Sequence, residues 1–216
     1  AANSANAGWA GHCNGWAASA QRHREPQNDV TKTLSDGTQV TFSKNDIKAL
    51  LAEVYMTAHA VFIGGQRCGT ATEECKIARP ENRSDPTKLD EYEDVNPAAF
   101  HVALANWVGK QKHAILFDQK NDKEVWNYPI YGYSVTVTPL ASAAAAAGRI
   151  VPNSSSYEFN PEATKFVSVS LNVNYSDALG GEADPNKTRN FSSKTINYKY
   201  VLELNNDDEI IGGEWE

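Results

Sequence analysis

Hydrophobic positions along the chain follow two different periods. From Ser43 to Phe62, the residues Ile47, Leu50, Leu51, Val54, Tyr55, Ala58, Val61 and Phe62 recur at three- and four-residue steps. That spacing lays one apolar stripe along an α-helix. Ser43 stands where an N-cap belongs, Asp46 falls in the first turn, and Gly64-Gly65 closes the segment. His59 lies beside the stripe and reads as a packed or half-exposed side chain rather than a ligand. Further on the period drops to two. Val167, Val169, Leu171, Val173 and Tyr175 alternate with Ser168, Ser170, Asn172 and Asn174, and Ile196, Tyr198, Tyr200, Leu202 and Leu204 alternate again. Such runs predict antiparallel strands with one wet face. Asn205-Asn206-Asp207-Asp208 then predicts a hairpin turn into Glu209-Ile210-Ile211, since it lacks the spacing and closing glutamate of a calcium loop. Ala143 to Ala147 predicts a short helix, followed by a serine connector at 154 to 156. Residues 66 to 96 are polar, with Pro80 and Pro86, and read as a long surface loop.

The segment Phe100-His101-Val102-Ala103-Leu104-Ala105-Asn106-Trp107-Val108 admits two readings. Asn96 and Pro97 suit an N-cap and first helical position. Alternatively the segment is a strand, folded at Gly109-Lys110 onto Ala114-Ile115-Leu116-Phe117-Asp118. That hairpin sets His101 opposite Asp118, near enough for an imidazole–carboxylate hydrogen bond.

Composition narrows the partners. Lys and Arg total 20 against 27 Asp and Glu, a formal charge of −7. An acidic chain without a basic block argues against nucleic acid, because phosphate binding needs clustered cations. No apolar run approaches the roughly 20 residues that span a membrane. The chain opens at Ala1 without an initiator Met or a signal peptide, as a trimmed product would, and trimming is expected after Glu216 as well. Cys68 and Cys75 sit close together in a polar loop and read as a short disulfide, which implies an oxidising compartment and a secreted protein. Metal binding is the weaker reading of that pair, because no second cysteine pair or HExxH run supports it. Asn-x-Ser/Thr sequons occur at Asn82, Asn153, Asn174, Asn186 and Asn190 and matter only in a eukaryotic secretory route.

The third cysteine carries the chemistry. In Gly11-His12-Cys13-Asn14-Gly15-Trp16-Ala17-Ala18-Ser19 a thiol stands in a glycine-flanked turn before a run of small, helix-forming residues. Unsatisfied N–H groups at a helix start favour a thiolate there, the form that attacks acyl carbons. The competing reading is a buried structural thiol. With Cys13 as nucleophile, His101 as base and Asp118 as its orienter, the chain would hold a Cys-His-Asp triad. His12 is a poorer base, since neighbouring residues on a helix do not face each other. His23 and His113 read as solvent-facing.

At Glu124-Val125-Trp126-Asn127-Tyr128-Pro129-Ile130-Tyr131-Gly132-Tyr133-Ser134-Val135 the chain resembles the transglutaminase elicitors of oomycetes and their marine bacterial relatives. Val125, Trp126, Asn127, Pro129, Gly132 and Val135 match the peptide of that family that plants sense, whereas Tyr131 and Ser134 replace its basic residues. The resemblance extends over most of the chain, through Cys13-Asn14-Gly15-Trp16, Phe100-His101 and Ile210-Ile211-Gly212-Gly213-Glu214-Trp215. It implies a protein-glutamine γ-glutamyltransferase that forms glutamine–lysine isopeptide crosslinks, with Cys13 as acyl acceptor and His101 on the matching histidine. Asn127 is the reserve orienter, as papain-like enzymes use an asparagine in that role. The oxyanion would be held by the backbone N–H of Cys13 with a second donor from Asn14, Trp9 or Asn6. Trp9, Trp16 and Trp126 are the candidate walls of a substrate tunnel, with core packing the alternative for each. No cofactor is implied, and calcium dependence is not derivable from the residues. The expected partners are proteins bearing reactive Gln and Lys side chains. The same triad would serve a cysteine protease, amidase or deamidase if water took the acyl group, and a secreted interaction protein working through Trp126 to Gly132 is a third reading.

The expected fold is α+β: N-terminal helices carrying the cysteine, packed on an antiparallel sheet in a loosely papain-like or transglutaminase-like arrangement. The expected organisation is one catalytic domain over 1–216, with a helical part at 1–65, a loop at 66–96, strands bearing His101 and Asp118 at 97–138, and a β-rich extension at 157–216.

Overall fold

A computed structural model describes residues 12–57, 63–64, 95–118, 126–177 and 192–216. It has two helices and a small hairpin in the N-terminal part, then a five-stranded antiparallel sheet with helices against it. This is the expected mixture of N-terminal helix bearing Cys13 and antiparallel sheet.

Helix α1 spans Cys13–Arg22 and packs against α2, Lys44–Met56. Gly15 and Ser19, four residues apart and therefore on one face, are the buried residues of α1. Glycine is required at 15 because a Cβ there would stand 2.2 Å from the Ala52 carbonyl oxygen. Helix α2 begins as predicted. Ser43 Oγ accepts from the Asp46 N–H at 3.2 Å, and Asp46 Oδ2 accepts from the Ser43 N–H at 2.8 Å, a reciprocal capping box. The Ser43 hydroxyl, donating to Asp46 Oδ2 at 2.8 Å, and then the Ser43 N–H hold the Asp46 carboxyl below the usual carboxylate range. Its predicted last turn, with His59, lies outside the described residues.

Between the helices the structure adds a hairpin that the sequence reading leaves out: β1, Val30–Thr33, and β2, Gln39–Phe42. Its strands are four residues long and largely exposed, so they carry no clear apolar alternation. The signal present was Asp36-Gly37. Gly37 takes φ +86°, and Asp36 Oδ1 accepts the Thr38 N–H at 2.9 Å.

The hairpin centred on Gly109-Lys110 does not form. Residues Pro97–Ala103 are helix α3, and the helix widens into a π-helical stretch over Leu104–Lys110. The Asn96 side chain caps it, accepting from the Ala98 N–H at 2.9 Å, and Pro97 takes the first position. Phe100, Ala103, Leu104 and Val108 point inward together at helical spacing, which a strand would split between two faces. The expected strand run over 97–138 is therefore helical at 97–110. Asp118 follows β3, Ile115–Phe117, which pairs instead with β4, Tyr128–Pro139.

The main sheet runs β3-β4-β5-β6-β7, with β5 at Lys165–Asp177, β6 at Ser192–Leu204 and β7 at Ile210–Trp215. The predicted alternation is seen in the burial of Val169, Leu171, Val173 and Tyr175. With Tyr200, Leu202 and Ile130 they form the core, covered by Phe100, Leu104 and Val108. The predicted alanine helix is α4, Ala143–Ile150, capped by Ser142. Its Ala146 packs with Phe166 and Val201 on the opposite sheet face. The acidic run is the predicted turn, closed by the Asn205 N–H donating to the Glu209 carbonyl at 3.1 Å.

One buried carboxylate belongs to this second face. Glu203 is 2% exposed and accepts from the Tyr157 hydroxyl and from Asn160 Nδ2, the latter at 3.0 Å. Burial, then the Glu203 carboxylate, drive the Tyr157 hydroxyl well above its ordinary titration range. Tyr157→Phe strips a donor from a buried acceptor and is expected to lower the unfolding free energy by about 1.5–3 kcal/mol. Urea unfolding measures it, and a change below about 0.5 kcal/mol would show that this bond does not hold the connector to the sheet.

Candidate functional site

Cys13 begins α1, half-buried, and is free. His12 is the N-cap and makes no side-chain capping bond. The first intrahelical bond runs from the Trp16 N–H to the His12 carbonyl at 2.9 Å. The N–H groups of Cys13, Asn14 and Gly15 therefore point out of the helix start without an intrahelical acceptor.

The sulfur meets the sheet at this helix start. Asn127 Nδ2–H donates to Cys13 Sγ at 3.4 Å, across 114 residues of sequence. Asn127 precedes β4 directly. Phe117 pairs with Tyr128, so Asp118 and Asn127 are the first residues beyond the ladder on their two strands. The structure thus brings Asn127 to the thiol and leaves exposed Asp118 at the same strand end.

His101, on α3, meets the sheet at β6. Its Nδ1 shares a hydrogen bond of 2.8 Å with the hydroxyl of Tyr200, a residue with no exposed surface. Tyr200 pairs with Val169, and Val169 with Val137. Val137 lies ten residues past Asn127 on the β4 side, and the Tyr200 hydroxyl itself feels Tyr133, four residues nearer to Asn127. Burial depresses the His101 imidazole below its ordinary titration range, favouring the neutral ring, and raises the Tyr200 hydroxyl above its own. Hydrogen bonds join Cys13 to Asn127 and His101 to Tyr200. The helical course of 97–110 aims His101 onto β6 rather than toward β3.

The imidazole–carboxylate pair next to Cys13 is a different one. His12 Nδ1 is in hydrogen-bond contact with Glu53 Oε1 of α2, with both side chains more than half exposed. His12 is free to turn there because it caps the helix instead of lying inside it. Sequence adjacency to Cys13 was visible, but Glu53 opposite it was not.

Trp16 and Trp126 are 43% and 44% exposed, so neither is a core residue. Trp16 lies one turn after Cys13 on α1, on the same helix face, and Trp126 immediately precedes Asn127. Asn14 is exposed beside Cys13. Asn6, Trp9, Cys68 and Cys75 lie outside the described residues, and with them the expected disulfide. Among the described residues no three His, Cys, Asp or Glu side chains come together as a metal ligand set, and no helix is long and apolar enough to cross a membrane.

A free thiol at a helix start, met by an amide from the adjoining sheet, is a setting suited to thiol acyl transfer. The family model of the transglutaminase elicitors matches residues 4–216, and the chain belongs to that family. The fold is similar to the crystal structure of the GP42 transglutaminase from Phytophthora sojae, with TM-score 0.61 and 26% identity over 96% of this chain. The chain spans about half of that structure's length, covering 51% of it. No curated protein sequence matches the chain.

Proposed function

We propose that the protein is a protein-glutamine γ-glutamyltransferase whose nucleophile is Cys13. The observation that carries the reading is the thiol at the α1 start in hydrogen-bond contact with Asn127, in a chain of the transglutaminase elicitor family. The Cys13 thiolate attacks the carboxamide carbon of a glutamine side chain, forming the C–S bond as the carbonyl π pair moves onto oxygen. Collapse of that adduct restores the carbonyl and expels ammonia, which leaves with a proton from the general acid. A lysine ε-amine then attacks the thioester, loses a proton to the same group acting as base, and releases Cys13 with an isopeptide bond formed. Trp16 and Trp126 offer apolar surface for the glutamine and lysine stems. The working setting is an extracellular one, with proteins carrying reactive Gln and Lys as substrates.

The test is incorporation of a labelled primary amine into a glutamine-bearing protein, with ammonia measured in the presence and absence of amine. Label incorporated in step with ammonia supports transfer. Ammonia released at the same rate without amine, and no label incorporated, would move the protein to the amidase or deamidase reading.

The family resemblance gives the proton relay to His101, oriented by Asp118. In the structure the His101 imidazole is hydrogen-bonded to Tyr200, whereas His12, the residue before Cys13, meets the Glu53 carboxylate. His101→Gln is expected to lower kcat by about 10²–10⁴-fold if His101 carries the proton. Loss of activity in His12→Gln, with His101→Gln within threefold of wild type, assigns the relay to His12 and Glu53 instead.

A further inference from the structure

We infer that Asn127 is a catalytic residue, its side-chain amide being the second donor of the oxyanion site built around Cys13. The inference rests on the acyl-transfer reading of Cys13 and goes beyond it by naming the group that stabilises the developing charge. Sequence reasoning offered Asn14, Trp9 and Asn6 for that donor and kept Asn127 in reserve as a histidine orienter. The geometry gives Asn127 a different task, because its N–H is aimed at the sulfur and not at an imidazole.

When the thiolate adds to a carboxamide, the oxygen that gains charge lies only two bonds from sulfur. A donor already in contact with sulfur is within reach of that oxygen after a small rotation of the amide. The backbone N–H groups at the α1 start are the natural companions of this donor, since they have no intrahelical acceptor and His12 supplies no cap. A neutral amide suits the task, as it donates without adding a charge that the thiolate would have to accommodate. It also reaches the site from a second layer. Asn127 is half-buried at the head of β4, and Ile130 three residues on is fully buried in the core. The donor is therefore held by the sheet while the nucleophile is held by the helix, which fixes it before charge develops.

The experiment compares wild type with Asn127→Ala and Asn127→Asp in two reactions at Cys13. Acyl transfer from a glutamine peptide and acylation by p-nitrophenyl acetate both pass through an oxyanion. Alkylation by iodoacetamide uses the same sulfur and forms none. Both variants are expected to lose about 10²–10³-fold in the two acyl reactions. Their alkylation rates at saturating pH and their unfolding midpoints should stay within threefold and a few degrees of wild type. Acyl reactions within threefold of wild type would overturn the assignment. So would alkylation slowed as much as acylation, because Asn127 would then merely position the thiol. Asn127→Gln, which retains an amide, should recover part of the lost acylation, and no recovery in a folded protein counts against the donor role. If wild type acylates from the ester but never from glutamine, the transferase reading fails while the comparison at Asn127 still decides this one. If wild-type Cys13 accepts an acyl group from neither donor, both readings fall.

Discussion

Cys13→Ala is expected to abolish amine incorporation, by at least about 10⁴-fold, because no other group at the site can carry the acyl intermediate. The protein should otherwise be little changed. Cys13 is half-buried at the first position of α1, its sulfur accepts one weak bond from Asn127, and alanine is the better helix former. A stability change below about 1 kcal/mol is expected. Two measurements on the same sample, label incorporation and urea unfolding, separate a missing nucleophile from a missing fold. Incorporation surviving within tenfold of wild type would remove Cys13 from the reaction. The working surface would then have to be sought elsewhere, the exposed segment around Trp126 being the first place to look.

The second large effect is expected two residues along, from the smallest possible change. Helix propensity alone favours Gly15→Ala by about 1 kcal/mol. Packing opposes it, because the new Cβ would lie 2.2 Å from the backbone oxygen of Ala52 and 3.0 Å from Met56 Cγ. A carbonyl of α2 cannot rotate aside as a side-chain tip can, so α1 must move as a body. Such overpacking costs about 1–3 kcal/mol, which exceeds the propensity gain. Gly15→Ala is therefore expected to be less stable than wild type. It should also transfer acyl groups much more slowly, since a shift of α1 withdraws Cys13 from Asn127. An alanine variant as stable and active as wild type would mean that the two helices do not pack this closely in solution.

Local signals and long-range signals fared differently in the sequence. The cap at Ser43, the alanine run at 143 and the alternation on β5 and β6 were all legible, because each is settled within a few neighbouring residues. The segment after Asn96 was legible only as a choice between two elements. Asn96-Pro97 and the inward set Phe100, Leu104 and Val108 favoured the helix, but Gly109-Lys110 offered an equally local argument for a turn. Burial against the sheet decided it, and the sheet is made mostly of residues that come later. The β1–β2 hairpin is hard to read for the opposite reason, as its exposed strands leave almost no pattern beyond Asp36-Gly37. Cys13 could be singled out from its own neighbours, and so could Trp16 and Trp126 as aromatic candidates. Its contact with Asn127 could not, because a helix start and a strand start so distant in sequence meet only through the packing of two layers. The pairing of His12 with Glu53 was hidden in the same way, by the α1–α2 interface.

The Cys13–Asn127 contact also makes the thiol a reporter. One partner belongs to the helical pair and the other to the sheet, so the site exists only while these two parts remain docked. Opening of that joint separates Cys13 from Asn127 without breaking a single strand of the sheet. A chain in that opened condition keeps its sheet and, on the proposed reading, loses acyl transfer. A nascent chain follows the same rule, since the thiol emerges first and Asn127 more than a hundred residues later. The contact thus forms only once both parts have assembled, and the reactivity of the Cys13 thiol measures how completely they have come together.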